Sequence, residues 1–359
     1  MRTLLVCLMI GTFLSAVAVP ALAEETKPRI TIDVELRAFS DKKPIRRITL
    51  SDPTIPTPPA TGEDITRLVR DLASADDNTG KLAAVRLFNT GDPAVSALGT
   101  ALRAEHAEQR RYAALVLMVL GTNKAMKCLR ATPMPWLYDD LRSDDSDVAQ
   151  PAAMVMVHLG TEKALAAVCD ILKDADAEMD LRMSILYGFT LAPSPKCVPA
   201  VEMCLRDENP YIRYTAITTY AILQGDKATD KLLTLLPDTN PVVRITLMGI
   251  LAGKKDPRVR DALVTILLHD DANWARAFAA VTLQDNAQQP NVLPYLTRAE
   301  KDPSRLVQVA AAIALDKDIS EQDFKDAMTA LMDECGGTDA SFVIEGLKGK
   351  IEGEIKTPK

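Results

Sequence analysis

The side chains best suited to acid–base or nucleophilic chemistry are few in this sequence and stand far apart. None of the three histidines has a second histidine at helical spacing, and H-E-x-x-H is absent. G-x-S-x-G, G-x-G-x-x-G and the phosphate-binding P-loop are absent as well. We therefore expect a protein that is not an enzyme and that uses no cofactor. The histidines are His106, His158 and His269.

An acidic turn between residues 174 and 180 carries carboxylates at alternate positions, an arrangement that can chelate Ca²⁺. It lacks the glycine expected at the sixth position of a calcium loop. Ile185 stands at the twelfth position, where a glutamate is expected. We expect these acids to cap helices, with a calcium site as the alternative, and we predict no metal ligands.

The cysteines are better suited to packing than to catalysis. Of six in the sequence, Cys7 falls in a segment that we expect to be removed. The odd number that remains leaves at least one free thiol in an oxidising compartment. C-x-x-C is absent, which disfavours a thioredoxin-like site or a zinc knuckle. Cys197 and Cys204 are too far apart for a disulfide within one helix, and we expect both to be buried thiols.

One segment, residues 131–140, carries residue types that are typical of binding surfaces, including one of only two tryptophans. Tryptophan and tyrosine dominate interface hot spots, and its two prolines stiffen the segment before binding. We predict that it contacts a partner. The alternative is that the tryptophan folds back over a gap and serves only as a cover. The predicted partner-binding residues are Trp136, Tyr138, Asp139 and Asp140.

The elements that must position these residues are repeats of about 30 residues. A basic residue or glutamine opens each repeat, and apolar residues follow it at offsets of three, four and seven, which define one face of an α-helix. An acidic residue stands six positions before all but the first of these openers. The longest spacing, 39 residues, contains the segment 131–140 as an insertion. The openers are Lys81, Arg111, Gln150, Arg182, Arg213, Arg244, Arg276 and Gln308.

A second helix follows the first in each repeat, as over residues 162–173, 195–206, 226–236 and 257–267. Asn209-Pro210 and Asn240-Pro241 place an N-cap before a proline at the first helical position. Each repeat is thus a helical hairpin that cannot bury its apolar face alone, so neighbouring hairpins must stack. The pattern predicts an all-α protein built as an α-α superhelix.

The turn-to-helix segments Asp207-Glu-Asn-Pro-Tyr-Ile-Arg213 and Asp238-Thr-Asn-Pro-Val-Val-Arg244 resemble the opening of HEAT repeats. The short period is closer to the HEAT-like class first associated with phycobilisome lyases. The resemblance covers about residues 75–335 and implies a HEAT-like solenoid. That class includes scaffolds, adaptors and a few chromophore lyases. The resemblance further implies that the arginine and aspartate columns form a structural ladder between repeats, with an anion-binding strip as the alternative.

The ends of the chain differ from the middle, and we predict four parts. Residues 1–23 have the basic start, apolar run and small-x-small site of a secretory signal peptide. Residues 24–61 alternate like a β-hairpin and lead into a Pro-rich linker. The solenoid takes residues 62–348, and residues 349–359 form a charged tail. We expect a periplasmic or secreted protein whose mature chain has no stable membrane span.

The net charge of −7 disfavours nucleic acid as a partner. These features together predict an exported helical-repeat scaffold that binds a protein or peptide partner on its curved surface. Two alternatives stay open from the sequence. One is a lyase-like or other enzyme subunit, and the other is a structural part of a cell-envelope assembly.

Overall fold

The computed structural model describes residues 61–330, except 75, 253, 255, 321, 324 and 328. This part of the chain is helical and contains no strand, which confirms the all-α fold. The predicted signal peptide, N-terminal hairpin and charged tail lie outside the described residues. The helices are α1 Gly62–Asp71, α2 Asp77–Thr90, α3 Val95–Ala101, α4 Ala107–Leu120, α5 Asn123–Ala131, α6 Trp136–Asp140, α7 Ser146–Leu159, α8 Glu162–Lys173, α9 Met179–Leu191, α10 Val198–Cys204, α11 Pro210–Gln224, α12 Thr229–Leu235, α13 Pro241–Leu251, α14 Pro257–His269, α15 Asn273–Thr282, α16 Leu293–Ala299 and α17 Arg305–Ala314.

The chain divides into two compact units, with the boundary between Met203 and Cys204, the last two residues of α10. Within each unit the first helices of successive hairpins contact one another. In the first unit these contacts join α2 to α4, α4 to α7 and α7 to α9. In the second unit they join α11 to α13, α13 to α15 and α15 to α17. Second helices also contact their successors, as α3 does α5 and α14 does α16, so each unit is a stack of hairpins.

The helix starts follow from the local sequence. The side chain of Asn209 accepts a hydrogen bond from the backbone N–H of Tyr211 at 2.8 Å, and Thr161 accepts one from Ala164 at 3.3 Å. These bonds satisfy N–H groups that a helix start leaves without a partner. The predicted second helix at 162–173 coincides with α8. Short polar side chains therefore fix the start of several helices, including α5, α7, α8, α11, α13 and α14.

The arginine column forms a ladder of ion pairs between successive repeats. Nε and Nη2 of Arg244 donate to the two carboxylate oxygens of Asp270 at 2.5 and 2.6 Å. Nη1 donates to the backbone carbonyl of Asp238 in its own turn at 2.7 Å. One guanidinium thus links its own turn to the next. The same arrangement joins Arg213 to Asp238 and Arg276 to Asp302, which confirms the ladder for these three arginines.

The repeat register differs from the sequence-based prediction by one residue at the start of the array. Ala113, Ala114 and Leu117 are buried, and they lie three, four and seven residues after Arg110, not after the predicted opener Arg111. The first repeat shows the same shift. Its buried apolar residues lie one position before the residues expected at offsets of three, four and seven from the opener Lys81. Residues 113–120 are apolar at every position, so the sequence alone does not fix which of them face the core.

We expect deletion of residues 213–243 to leave a shorter folded protein. The deletion brings Arg244 to the position of Arg213, directly after Ile212. There Nη1 can still reach the carbonyl of Asp207, and Asp270 remains the acid of the next turn. Each hairpin contacts mainly its neighbours, so one can be removed. Helical circular dichroism per residue should be unchanged.

The matched control removes residues 213–245 and places Thr246 at the same position. This variant lacks the guanidinium of Arg244 and has a shifted helical register. We expect it to be less helical and less stable than the deletion of residues 213–243. Complete loss of helical signal in the in-register deletion would contradict a stack of separable hairpins.

Candidate binding site at the insertion

The insertion divides one second helix into two short helices. In the next repeat the second helix, α8, runs unbroken, whereas here α5 ends at Ala131 and α6 begins at Trp136. Pro133 and Pro135 lie between them, and proline cannot donate the backbone hydrogen bond that a continuing helix requires. At the end of α5 the hydroxyl of Thr132 donates to the carbonyl of Cys128 at 3.0 Å. The extra residues therefore form a helical corner and not an open loop.

One face of α6 turns toward the preceding repeat. The indole Nε1 of Trp136 donates to the carbonyl of Leu102, at the end of α3, at 3.2 Å. The guanidinium of Arg110 lies over the indole ring, 5.5 Å from its centroid. The ring is half-buried. These contacts match the alternative in which Trp136 folds back as a cover, since it satisfies a carbonyl that α3 leaves without an intrahelical partner.

Asp140 lies one turn after the tryptophan and belongs to the same inward face. Nε and Nη2 of Arg111 donate to its carboxylate at 2.8 and 2.9 Å, and this pairing raises the pKa of the arginine. Nη1 of Arg110 donates to the carbonyl of Ala104 at 2.8 Å. In this repeat Arg111 binds the acidic side chain and Arg110 binds a backbone carbonyl of its own turn. In the later repeats a single arginine makes both contacts. The ladder acid at this turn is Asp140, where the sequence pattern had placed Asp144.

A small pocket lies between α5, α6 and α7, with a volume of about 120 Å³. Its floor is apolar and fully buried, as at Leu129 and Met156. Its mouth is formed by Arg130, Thr161 and the half-buried Tyr138. The volume suits one apolar side chain and is well below that of pockets for drug-sized ligands. The lining residues are Leu129, Arg130, Thr132, Met134, Leu137, Tyr138, Met156, Leu159 and Thr161.

Tyr138 and Asp139 remain at the surface. The ammonium of Lys163, in the first turn of α8, lies 4.6 Å from the centroid of the Tyr138 ring. Partial burial raises the pKa of Tyr138, so the phenol stays protonated at neutral pH. Asp139 is exposed. The structure thus divides the four predicted residues into an inward pair, Trp136 and Asp140, and an outward pair. Their role in partner binding stays a prediction.

Sequence reasoning missed both the pocket and Lys163. The signal for the inward pair was present, because Trp136 and Asp140 are four residues apart and share a face once the segment is helical. Nothing in the local sequence indicates that Leu129 and Met156 leave a gap beneath Tyr138, since that gap depends on how α7 packs against α5.

The sequence matches the family model of HEAT repeats over residues 229–316. The matched residues include the ion pairs of Arg244 with Asp270 and of Arg276 with Asp302. The chain is a HEAT-like repeat protein. No curated protein matches the sequence. Among solved structures, the complex of CpcE and CpcF of phycocyanin lyase from Nostoc sp. PCC7120 is 19% identical, covers 84% of this chain and 98% of its own, and has a TM-score of 0.35.

Two further solved structures are similar at the same low level. An engineered protein is 18% identical, covers 79% of this chain and 87% of its own, and has a TM-score of 0.35. Human deoxyhypusine hydroxylase in complex with glycerol is 18% identical, covers 71% of this chain and 95% of its own, and has a TM-score of 0.30. At this level of similarity the assignment of HEAT-like repeats rests on the hairpins and the family model.

Two other candidate residues of this HEAT-like repeat protein, His158 and Asp174, make local hydrogen bonds. The ring of His158 hydrogen-bonds through Nδ1 to the carbonyl of Met154 at 2.9 Å, and burial lowers its pKa. Asp174, in the acidic turn, accepts from the backbone N–H of Asp176 at 3.0 Å. Among the described residues, no group of three or more His, Cys, Asp or Glu side chains is placed to hold a metal ion. No described helix is both long and apolar enough to span a membrane.

The cysteines that we expected to be buried are buried. Cys197 has none of its surface exposed and Cys204 has 1%. Cys197 is the last residue of the turn Pro195–Cys197, and Cys204 is the last residue of α10. The turn and α10 together form one second helix. The prediction that both are buried thiols in the core is therefore confirmed.

Proposed function

We propose that this protein is an exported helical-repeat scaffold, and that a protein or peptide partner places one apolar side chain in the pocket beside Tyr138. The observation that carries the proposal is the pocket itself. It combines a buried apolar floor with an open mouth, and it lies where the second helix is interrupted. Hot spots of protein interfaces have this form, a desolvated pocket that an anchor residue fills.

The size of the pocket favours a macromolecular partner over a small ligand. A cavity of about 120 Å³ encloses too little surface for a small molecule to bind tightly without further contacts. A polypeptide can add those contacts on the rim, where Asp139 is exposed and Lys163 lies against the Tyr138 ring. The rim carries both signs of charge, so it can orient a partner without requiring a strongly charged one.

The inward and outward faces of α6 predict two separable effects. We expect Tyr138→Ala to lower partner affinity by about 2 kcal/mol, roughly 30-fold, while the melting temperature barely changes. We expect Trp136→Ala to lower the melting temperature by several degrees, because it removes the bond to the Leu102 carbonyl and the contact with Arg110. The affinity of the folded fraction should stay near that of the parent.

The partner for this measurement is captured with a photo-crosslinking residue at position 139, which is exposed, and is then purified for titration. Tyr295→Ala is the matched control, because this tyrosine of the second unit is 37% exposed and does not line the pocket. Equal losses of affinity in the Tyr138 and Tyr295 variants would contradict the proposed site. An unchanged affinity in both would also contradict it.

Export is the other part of the proposal, and it predicts cleavage after Ala23. The basic residue Arg2, the apolar run from Leu4 to Val17 and the small residues before the site support it. The amino terminus of protein isolated from its own host should begin at Glu24. A variant with bulky residues at positions 21 and 23 should accumulate uncleaved. An intact Met1 on membrane-extracted parent protein would contradict export by cleavage.

A further inference from the structure

The pocket beside Tyr138 has a positively charged wall on one side. Among the described residues that line it, Arg130 carries a charge, and the others are apolar or carry a hydroxyl group. The acidic residues that adjoin the lining in the sequence, Asp139 and Glu162, do not line the pocket themselves. An apolar cavity with an arginine in its wall favours an occupant that is apolar inside the cavity and negatively charged at the mouth.

The guanidinium of Arg130 is held by one of its nitrogen atoms. Nε donates to the carbonyl of Leu159, the last residue of α7, at 3.2 Å. Among the residues that the structure describes, Arg130 makes no ion pair with an acidic side chain. Nη1 and Nη2 are therefore available to an external ligand. Adjacent N–H groups of a guanidinium match the two oxygen atoms of a carboxylate.

A second cation lies beside the same mouth. The ammonium of Lys163 is 4.6 Å from the centroid of the Tyr138 ring, and this tyrosine lines the pocket. Within the described part of the chain Lys163 has no acidic partner either, whereas Lys173 of the same helix pairs with Asp170 at 2.9 Å. The net charge of the chain is −7, so this mouth is locally positive on a protein that is acidic overall.

The position of the arginine indicates where the negative charge of the partner must stand. Arg130 lines the pocket itself, so a carboxylate that binds it must lie directly above the side chain that fills the cavity. In an extended peptide, neighbouring side chains point to opposite faces, so an acidic residue next to the anchor would point away. A C-terminal residue carries its carboxylate on the same Cα atom as its side chain, and both groups reach the mouth together.

We propose that the C-terminal residue of the partner polypeptide fills this pocket with an aliphatic side chain, while its α-carboxylate binds Arg130 and Lys163. The inference rests on the proposed function, since it names the part of the partner that enters the pocket. The volume of about 120 Å³ and the apolar floor at Leu129 and Met156 suit a side chain of the size of leucine. The carboxylate gives the partner a fixed orientation, because it binds at the mouth and not in the cavity.

The test uses the full chain and pools of synthetic peptides of about eight residues, labelled with fluorescein at the amino terminus. One pool has leucine at the last position, random residues before it and a free carboxylate. The second pool is the same but ends in a carboxamide, and the third has an internal leucine and ends in glycinamide. Fluorescence anisotropy should show that the free-acid pool binds about tenfold more tightly than either amide pool.

Arg130→Gln should lower the affinity of the free-acid pool about tenfold and leave the amide pools unchanged. Its melting temperature should not change, because this side chain is exposed. Lys127→Gln is the matched control, since it removes an exposed cation of the same helix that does not line the pocket. It should change neither affinity. Tyr138→Ala should weaken the binding of every pool.

Equal affinities of the two leucine-terminated pools in the parent protein would overturn the assignment of the C-terminal residue, and this comparison needs no variant. If Tyr138→Ala still weakened both pools, the pocket would remain the site of the proposed function. Tighter binding of the pool with an internal leucine, or no measurable binding of any pool, would overturn the inference as well. Binding that neither Tyr138→Ala nor Arg130→Gln alters would contradict both the inference and the proposed site.

Discussion

Replacing Asp270 by alanine is expected to lower the free energy of unfolding of the second unit by about 3 kcal/mol. The carboxylate accepts from Nε and Nη2 of Arg244 and from the backbone N–H of Ala272 at 2.9 Å. The arginine and aspartate side chains are only 13% and 5% exposed. Alanine would therefore leave a largely buried guanidinium with two donors and no acceptor, and desolvation makes that costly.

The exposed ion pair between Arg258 and Asp230 provides the matched control. Its side chains are 62% and 78% exposed, so water already solvates both charges. We expect Asp230→Ala to change stability by too little to measure. In the Asp270→Ala background, Arg244→Met should recover part of the loss, because it removes the buried charge that lacks a partner. An effect of Asp270→Ala no larger than that of Asp230→Ala would show that the ladder contributes little.

The two tryptophans make this measurement specific to one unit. Trp136 lies in the first unit and Trp274, four residues after Asp270, lies in the second. A Trp136→Phe background leaves only Trp274 to report the urea unfolding of the second unit. A shift in the midpoint without a change in slope gives the change in stability directly.

Replacing Gly188 by leucine is expected to destabilise the first unit by about 3 kcal/mol. This glycine lies in α9, where the helix crosses α7. A Cβ atom there would lie 3.3 Å from the sulfur of Met154 and 3.3 Å from a methyl group of Val157. Even one carbon is a tight fit, so a branched side chain must push the two first helices apart and open the core between them.

Gly188→Ala and Gly249→Ala separate crowding from helix propensity. At Gly249, in α13, an added Cβ meets Phe278 at an ordinary 3.8 Å. Alanine there should stabilise the second unit by up to about 1 kcal/mol through its higher helix propensity. The same change at Gly188 should gain less, because neighbours must move. Trp136 fluorescence in a Trp274→Phe background reports the first unit. A fully stable Gly188→Leu protein would contradict close packing of α7 against α9.

The candidate site was only partly predictable. The sequence located the interruption at residues 131–140 and the residue types in it, because both are visible against a regular period. It did not divide Trp136 and Asp140 from Tyr138 and Asp139, since that division required knowing that the segment is helical and which repeat it faces. The pocket was invisible, because its floor comes from residues on three different helices.

What the sequence determined by itself was local and repeated. The helix starts could be assigned because caps such as Asn209 act on N–H groups two residues away. The hairpins could be assigned because the apolar offsets recur. Arginines such as Arg213 and Arg244 also stand at nearly constant spacing. Interactions that repeat at a fixed period leave a fixed pattern in the chain, and such a pattern can be detected without coordinates.

What only the tertiary structure decided depends on residues that are distant in the chain and do not repeat. The register of the first repeats was settled by packing, because the run at residues 113–120 is apolar on every face. The choice of Asp140 as a ladder acid required the helical corner that brings it to Arg111. Each of these contacts occurs once, so it leaves no periodic pattern in the sequence. Its geometry is set by how neighbouring helices approach each other.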